Sequence, residues 1–113
     1  MNAVVKDDKR WNTSGLVPVG VAVLVEAYEP EIKKSMIAIP ETVAERTKIA
    51  ETRAIIRAIG TSAWQDEPEP RARLGDKVMI ARFAGIAVKG PKDGKDYRII
   101  NDRDIFCRIE EEA

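Results

Sequence analysis

Gly75-Asp76-Lys77-Val78-Met79-Ile80-Ala81-Arg82-Phe83, closed off by Ala84-Gly85 and followed at once by Ile86-Ala87-Val88-Lys89, is the stretch that decides the fold. Gly75-Asp76 turns the chain into one short apolar-rich run, and Ala84-Gly85 leads it into a second. Pro91-Lys92-Asp93-Gly94 comes next and contains the Asp-Gly signal of a β-hairpin. Tyr97-Arg98-Ile99-Ile100 and Ile105-Phe106-Cys107-Arg108-Ile109 are two more short strands, parted by the polar turn Asn101-Asp102-Arg103. Short strands with such frequent turn signals argue for an all-β fold, a small β-barrel. No internal repeat interrupts the pattern.

Upstream, residues 61–73 (TSAWQDEPEPRAR) read as a polar connection, because Pro68 and Pro70 exclude a central strand. The segment before it reads two ways. The paired isoleucines of Arg53-Ala54-Ile55-Ile56-Arg57-Ala58-Ile59, ended by Gly60, favour a strand. The other reading is an amphipathic helix over 41–59, with Val43, Ala50, Ala54 and Ala58 near helical spacing. Leu16 to Glu26 (LVPVGVAVLVE) is rich in valine and close to continuously apolar. It predicts a strand buried on both faces or at an interface. Pro18 lacks an N–H and belongs at the start or edge of that strand. Residues 1–14 read as a loosely ordered lead-in, with Trp11 as its candidate anchor.

A loop candidate runs from Ala27 to about Thr52. At its heart, Met36-Ile37-Ala38-Ile39 lies between Lys33-Lys34 and Pro40-Glu41, and a polar run follows to Glu51. The apolar island is too short to make a core element alone. Two readings stand: a sticky patch on a mobile loop that awaits a partner's groove, or an ordinary buried strand with a long polar connection after it.

Composition narrows the function. The chain has 113 residues, one domain, enough to bury roughly two-thirds of the surface its unfolded form exposes. Its 19 basic and 19 acidic residues cancel, and no basic stripe appears, which argues against a nucleic-acid partner. With no histidine and a single cysteine, Cys107, there is no Ser-His-Asp triad, no Cys-His nucleophile, no His/Cys zinc site and no intrachain disulfide. Cys107 reads as a small buried thiol. No segment approaches the ~20 apolar residues of a membrane span, and the N-terminus has no signal-peptide run. The expectation is a soluble, cytoplasmic protein with no catalytic residues, no cofactor and no metal. Carboxylates are plentiful, but nothing places a pair in an apolar pocket.

The blocks Gly75-Asp76-Lys77-Val78, Phe83-Ala84-Gly85 with Val88-Lys89, Tyr97 with Ile99, and Asp104-Ile105 fall in an order and spacing that resembles the chaperonin-10 (co-chaperonin, GroES-like) family. Pro18 and Val21 to Val25 match where that family opens its barrel. Ile37-Ala38-Ile39-Pro40-Glu41 looks like the tip of its mobile loop, and Arg53 to Gly60 resembles the strand that closes the loop. The likeness covers residues 16–109. Departures are visible: Phe83 stands for the usual Tyr, Ser35-Met36 for a glycine pair, and Ala38 for a bulky aliphatic. The 27–52 loop is a few residues longer than usual, the 61–74 roof region is slightly short, and the 1–14 extension is extra. Such a chain resembles a divergent member, virus-encoded or specialised.

The resemblance implies a GroES-like β-barrel over 15–113. It implies a homo-oligomer, a seven-fold ring, that caps a chaperonin-60 type ATPase ring and assists unfolded client proteins inside the cage. It assigns chaperonin binding to Met36, Ile37, Ala38 and Ile39. Subunit contacts fall on Val19, Val21, Val23, Ile105, Cys107 and Ile109, because the family's first strand pairs with a neighbour's last. Phe83 is expected to face the cavity or else to pack the barrel. Trp64 is expected near the dome's apex, or pinning the shortened connection. The competing function is a monomeric β-barrel module for a peptide or single-stranded nucleic acid, which would need aromatic platforms and basic residues. Only two Trp, two Tyr and two Phe are available.

Overall fold

Val23, Leu24 and Val25 are consecutive and all fully buried, which a strand permits only where both its faces are covered. They belong to β1 (Ala22–Ala27), and β1 lies inside the sheet. The structure, a computed structural model, describes residues 6–28 and 52–110. Within them come β2 (Arg53–Ile59), β3 (Lys77–Ile80), β4 (Ile86–Lys89), β5 (Asp96–Asn101), one 3-10 turn (Asp102–Asp104) and β6 (Ile105–Arg108). They form one antiparallel sheet in the order β4-β5-β1-β2-β3-β6. The strand expected from Leu16 begins only at Ala22. Residues 16–21 run outside the ladder and turn at Gly20-Val21.

The choice between strand and helix over 53–59 falls to the strand, β2. Its register with β1 pairs Leu24 with Ala58 and Val25 with Ile56, so Arg57 is the extra residue of a β-bulge. The bulge switches facing. Ala54 and Ile56 join Val23 and Val25 in the main core, whereas Ala58 joins Leu24 and Tyr97 in a second cluster. Each large side chain buried in this way contributes about 1.5–3 kcal/mol. Residues 41–51, the stretch with the better helix propensity, lie outside the described residues. β3 stops at Ile80, three residues short of the expected Phe83. The Asp-Gly hairpin is present between β4 and β5.

Connection lengths force the sheet to roll. β5 and β6 are four strand spacings apart in the sheet order, roughly 19 Å if the sheet were flat. Only the single 3-10 turn joins them. Four Cα steps from Asn101 to Ile105 reach at most about 14 Å, and less in 3-10 form. A flat sheet cannot satisfy both. The sheet therefore curls around the main core, to which Ile100 of β5 and Ile105 of β6 both contribute. The result is the small β-barrel that the strand pattern predicts, although among the described residues β4 and β6 do not pair to close it.

The corner where β5 passes to β6 is tied down by Asp102, one of two buried polar residues among those described. Its Oδ2 accepts the Trp64 backbone N–H at 2.7 Å, and its backbone carbonyl accepts the indole Nε1–H at 2.9 Å. Its own N–H donates to the Val21 carbonyl at 3.0 Å. Trp64 has φ of 56°, a left-handed conformation that costs a non-glycine residue about 1–3 kcal/mol. Of the two expectations for Trp64, the pinning role is the one realised: it is buried in the main core with Ala63 and Ala72.

Candidate interaction surfaces

β1 ends at Ala27, and β2 begins beside it at Arg53. The last register pair is Ala27 with Ala54, and the Tyr28 N–H donates to the Arg53 carbonyl at 3.4 Å. Lys77 lies over the Tyr28 ring, 5.1 Å from its centroid. The chain thus leaves and re-enters the sheet at a single point, at the end of β1 opposite the Asp102 corner. The expected loop-tip residues Met36, Ile37, Ala38 and Ile39 lie outside the described residues.

The six residues expected at a subunit contact divide sharply. Val23 and Ile105 are completely buried in the chain's own core. Val19 is 76% exposed, with Val17 and Val21 also open to solvent. Asn12 holds this run by donating to the Leu16 carbonyl at 2.7 Å, and the Ser62 N–H donates to the Gly20 carbonyl at 2.9 Å. On β6 Ile105 is buried opposite Ile80, whereas Phe106 is the extra residue of a β-bulge against β3 and is 68% exposed. Cys107 is exposed and free, which corrects the expectation of a buried thiol. The bulge at Phe106 puts Cys107 opposite Met79 and not on the face that Ile105 shares with Ile80. Ile109 is half-buried. Among the described residues no strand covers the outer side of β6.

Phe83 is 78% exposed, so it does not pack the barrel. The Arg82 guanidinium sits 4.9 Å from its ring centroid. Arg98 of β5 braces the turn from below, donating to the Arg82 carbonyl at 2.8 Å and to the Ala84 carbonyl. Gly85, at φ of 67°, lies so close to β5 that a Cβ there would sit 1.9 Å from the Ile99 carbonyl oxygen. The turn is tied to β5 by these contacts and presents one aromatic ring to solvent.

An open groove of about 680 Å³ beside Val21 is lined by Asp66, Asp102 and Asp104. Its carboxylates are engaged in structure: Asp102 holds Trp64, Asp104 accepts the Asn101 N–H at 3.0 Å, and Asp66 accepts from Arg103 at 2.8 Å. Among the described residues no group of His, Cys, Asp and Glu is placed to hold a metal ion, and no helix is long and apolar enough to cross a membrane.

Comparison with known proteins decides the family. Residues 15–109 match the model of the chaperonin 10 Kd subunit. The chain belongs to the chaperonin 10 family. It is 34% identical over 97 residues to co-chaperonin GroES of Caldicellulosiruptor saccharolyticus, covering 83% of this chain and 96% of that one. It is 35% identical over 94 residues to the protein of the same name from Acetivibrio thermocellus, covering 82% and 96%. The Geobacillus stearothermophilus protein is 35% identical over 98 residues, covering 83% and 98%. Co-chaperonin function comes with this membership.

Within the family frame, two features stand out in this chain that sequence reasoning missed. Phe106 was legible only as one letter of a short strand, because its bulge depends on the register with β3. Within the lead-in, residues 6–14 are tied to the barrel by hydrogen bonds and ring contacts. The Lys6 carbonyl accepts the Ile59 N–H at 2.7 Å, and Lys6 Nζ donates to the Thr61 carbonyl at 2.7 Å. Trp11 does act as an anchor, against Gly75 and Arg57.

Proposed function

We propose that the chain is a subunit of a cytoplasmic co-chaperonin ring, seven-fold, that caps a chaperonin-60 type ATPase ring and closes a cage around unfolded client proteins. The observation that carries the assembly is the exposure of Val17, Val19 and Val21 on one segment and of Phe106 on β6, an edge strand among the described residues. Apolar side chains and open strand edges are liabilities on a monomer and are satisfied when a neighbour pairs with them. Val19, Val21, Cys107 and Ile109 take the contact, while Val23 and Ile105 support it from beneath. Phe83 faces the enclosed cavity on this reading.

The 27–52 loop makes the contact with the chaperonin through Met36, Ile37, Ala38 and Ile39. Each large side chain there contributes about 1.5–3 kcal/mol on burial. Ordering the loop and losing translational freedom consume most of that gain. One loop therefore binds weakly, and a ring of loops binds well, because the later contacts form at high effective concentration. The adjacent feet at Ala27 and Arg53 suit such a loop.

The test is Ile37→Asp and Ile39→Asp, read by binding to a purified chaperonin with nucleotide and by ring mass. Loss of binding with an intact ring supports the loop. A ring that dissociates, or a chain that unfolds, makes the segment a core strand and ends this reading.

A further inference from the structure

The N-terminal segment is fastened to the barrel at three separate places. Lys6 bonds to Ile59 and Thr61 at the end of β2. Thr13 donates to Asp93 at 2.8 Å, and the Ser14 carbonyl accepts the Lys92 N–H at 2.9 Å, which ties the segment to the β4–β5 hairpin turn. Between these, Trp11 lies on Gly75 so closely that a Cβ there would come within 2.7–3.0 Å of three indole carbons. The third fastening leads on to the stem of the 27–52 loop. The Arg57 guanidinium sits 5.9 Å from the Trp11 ring centroid, and its Nε donates to Glu26 Oε1 at 3.0 Å. Glu26 pairs with Ile55, one step inside the terminal pair of Ala27 with Ala54.

We propose that residues 6–14 are a clamp on this stem: through Trp11 and Arg57 they limit how far the β1–β2 pairing frays inward from its Ala27–Arg53 end. Arg57 is suited to the task because it is the bulge residue, with no residue opposite it in the β1–β2 register. An Arg–Glu pair on an open surface is worth little, because two long side chains must be held still. Here the two side chains retain only 21% and 22% of their exposure, and the indole confines the planar guanidinium, so the restraint is already in place. A fixed stem also fixes the length of chain that any partner must order on binding. The inference rests on the fold and not on chaperonin binding, so it stands or falls separately from the proposed function.

Hydrogen exchange on the full-length assembled protein tests it, with Trp11→Ala, Trp11→Phe, Arg57→Leu and the Trp11→Ala/Arg57→Leu double variant. In Trp11→Ala the stem amides of Glu26, Tyr28 and Ile55 are expected to exchange roughly five- to tenfold faster, while Ile80, Ile100 and Ile105 keep their wild-type rates. Trp11→Phe restores most of the protection. Arg57→Leu reproduces the effect, and the double variant adds little to either single one. Uniformly faster exchange across all strands would reduce the segment to a general stabiliser, and unchanged stem rates would leave Trp11 unconnected to it; either result overturns the proposal.

Discussion

Val19→Asp is the substitution that most directly tests assembly. Val19 lies outside the strands and is 76% exposed, so in an isolated subunit the change alters stability by no more than about ±0.5 kcal/mol. In a ring the same side chain is covered by the neighbour. Its burial is then lost, about 1.5 kcal/mol, and a carboxylate is set against apolar surface, for a total of roughly 3 kcal/mol per contact. That corresponds to about a 150-fold weaker contact. Releasing one subunit from a closed ring breaks two contacts, so the effect enters twice, about 10⁴-fold. Light scattering coupled to size exclusion reads the outcome, with circular dichroism for the fold. Seven wild-type chains of 12.6 kDa give a ring of about 88 kDa. Val19→Asp should give a folded 12.6 kDa monomer at micromolar concentration. Phe106→Asp should do the same, whereas Val23→Asp and Ile105→Asp, at fully buried sites, should prevent folding. If Val19→Asp and Phe106→Asp both leave the ring whole, the exposed run and the β6 edge are not the subunit contact.

Further outcomes follow from the Asp102 corner and from Tyr97. Asp102→Ala strands the buried Trp64 N–H while Trp64 still holds its left-handed conformation; the expected loss is about 2 kcal/mol, visible as a lower urea midpoint at fixed protein concentration. Asp102→Asn keeps an acceptor and should lose less than about 1 kcal/mol, and equal losses in the two variants would refute the role given to the hydrogen bond. Burial, and then the hydrogen bond to Asp93, raise the Tyr97 pKa above its ordinary 10.0. The unfolded chain therefore loses this proton first. The stabilisation is complete below pH 10 and fades as pH rises through the folded value, so Tyr97→Phe should flatten the alkaline fall in the urea midpoint. At Asp93 burial pushes the pKa upward, but hydrogen bonds from Tyr97, Lys95 and Thr13 outweigh it and hold the pKa below 3.8. That stabilisation is present above pH 3.8 and lost as pH falls through the folded value, and Asp93→Asn should reduce the acid slope.

Much of the fold was legible because short strands announce themselves locally. The turn signals around Gly75, Gly85 and Gly94 bracket β3, β4 and β5, and the ordered blocks from Gly75 to Ile105 carry the family. The isoleucine pair was enough to favour a strand over 53–59, since β-branched side chains suit a pleated surface. The candidate contact surface was legible only as a region. Leu16 to Val25 reads as one uniform apolar run, yet Val19 stands in solvent and Val23 at the centre of the core. That division depends on which residues β2 and β5 pair with, and those partners lie more than thirty residues away in the chain. Cys107 and Phe106 are outside for the same kind of reason: the bulge against β3 leaves Phe106 without a register partner and sets Cys107 opposite Met79, and a register is not recorded in either strand alone. Trp64 is inside because Asp102, 38 residues later, accepts its N–H. Local sequence fixes backbone preference over a few residues at a time. Burial is the sum of contacts that only the rolled sheet brings together.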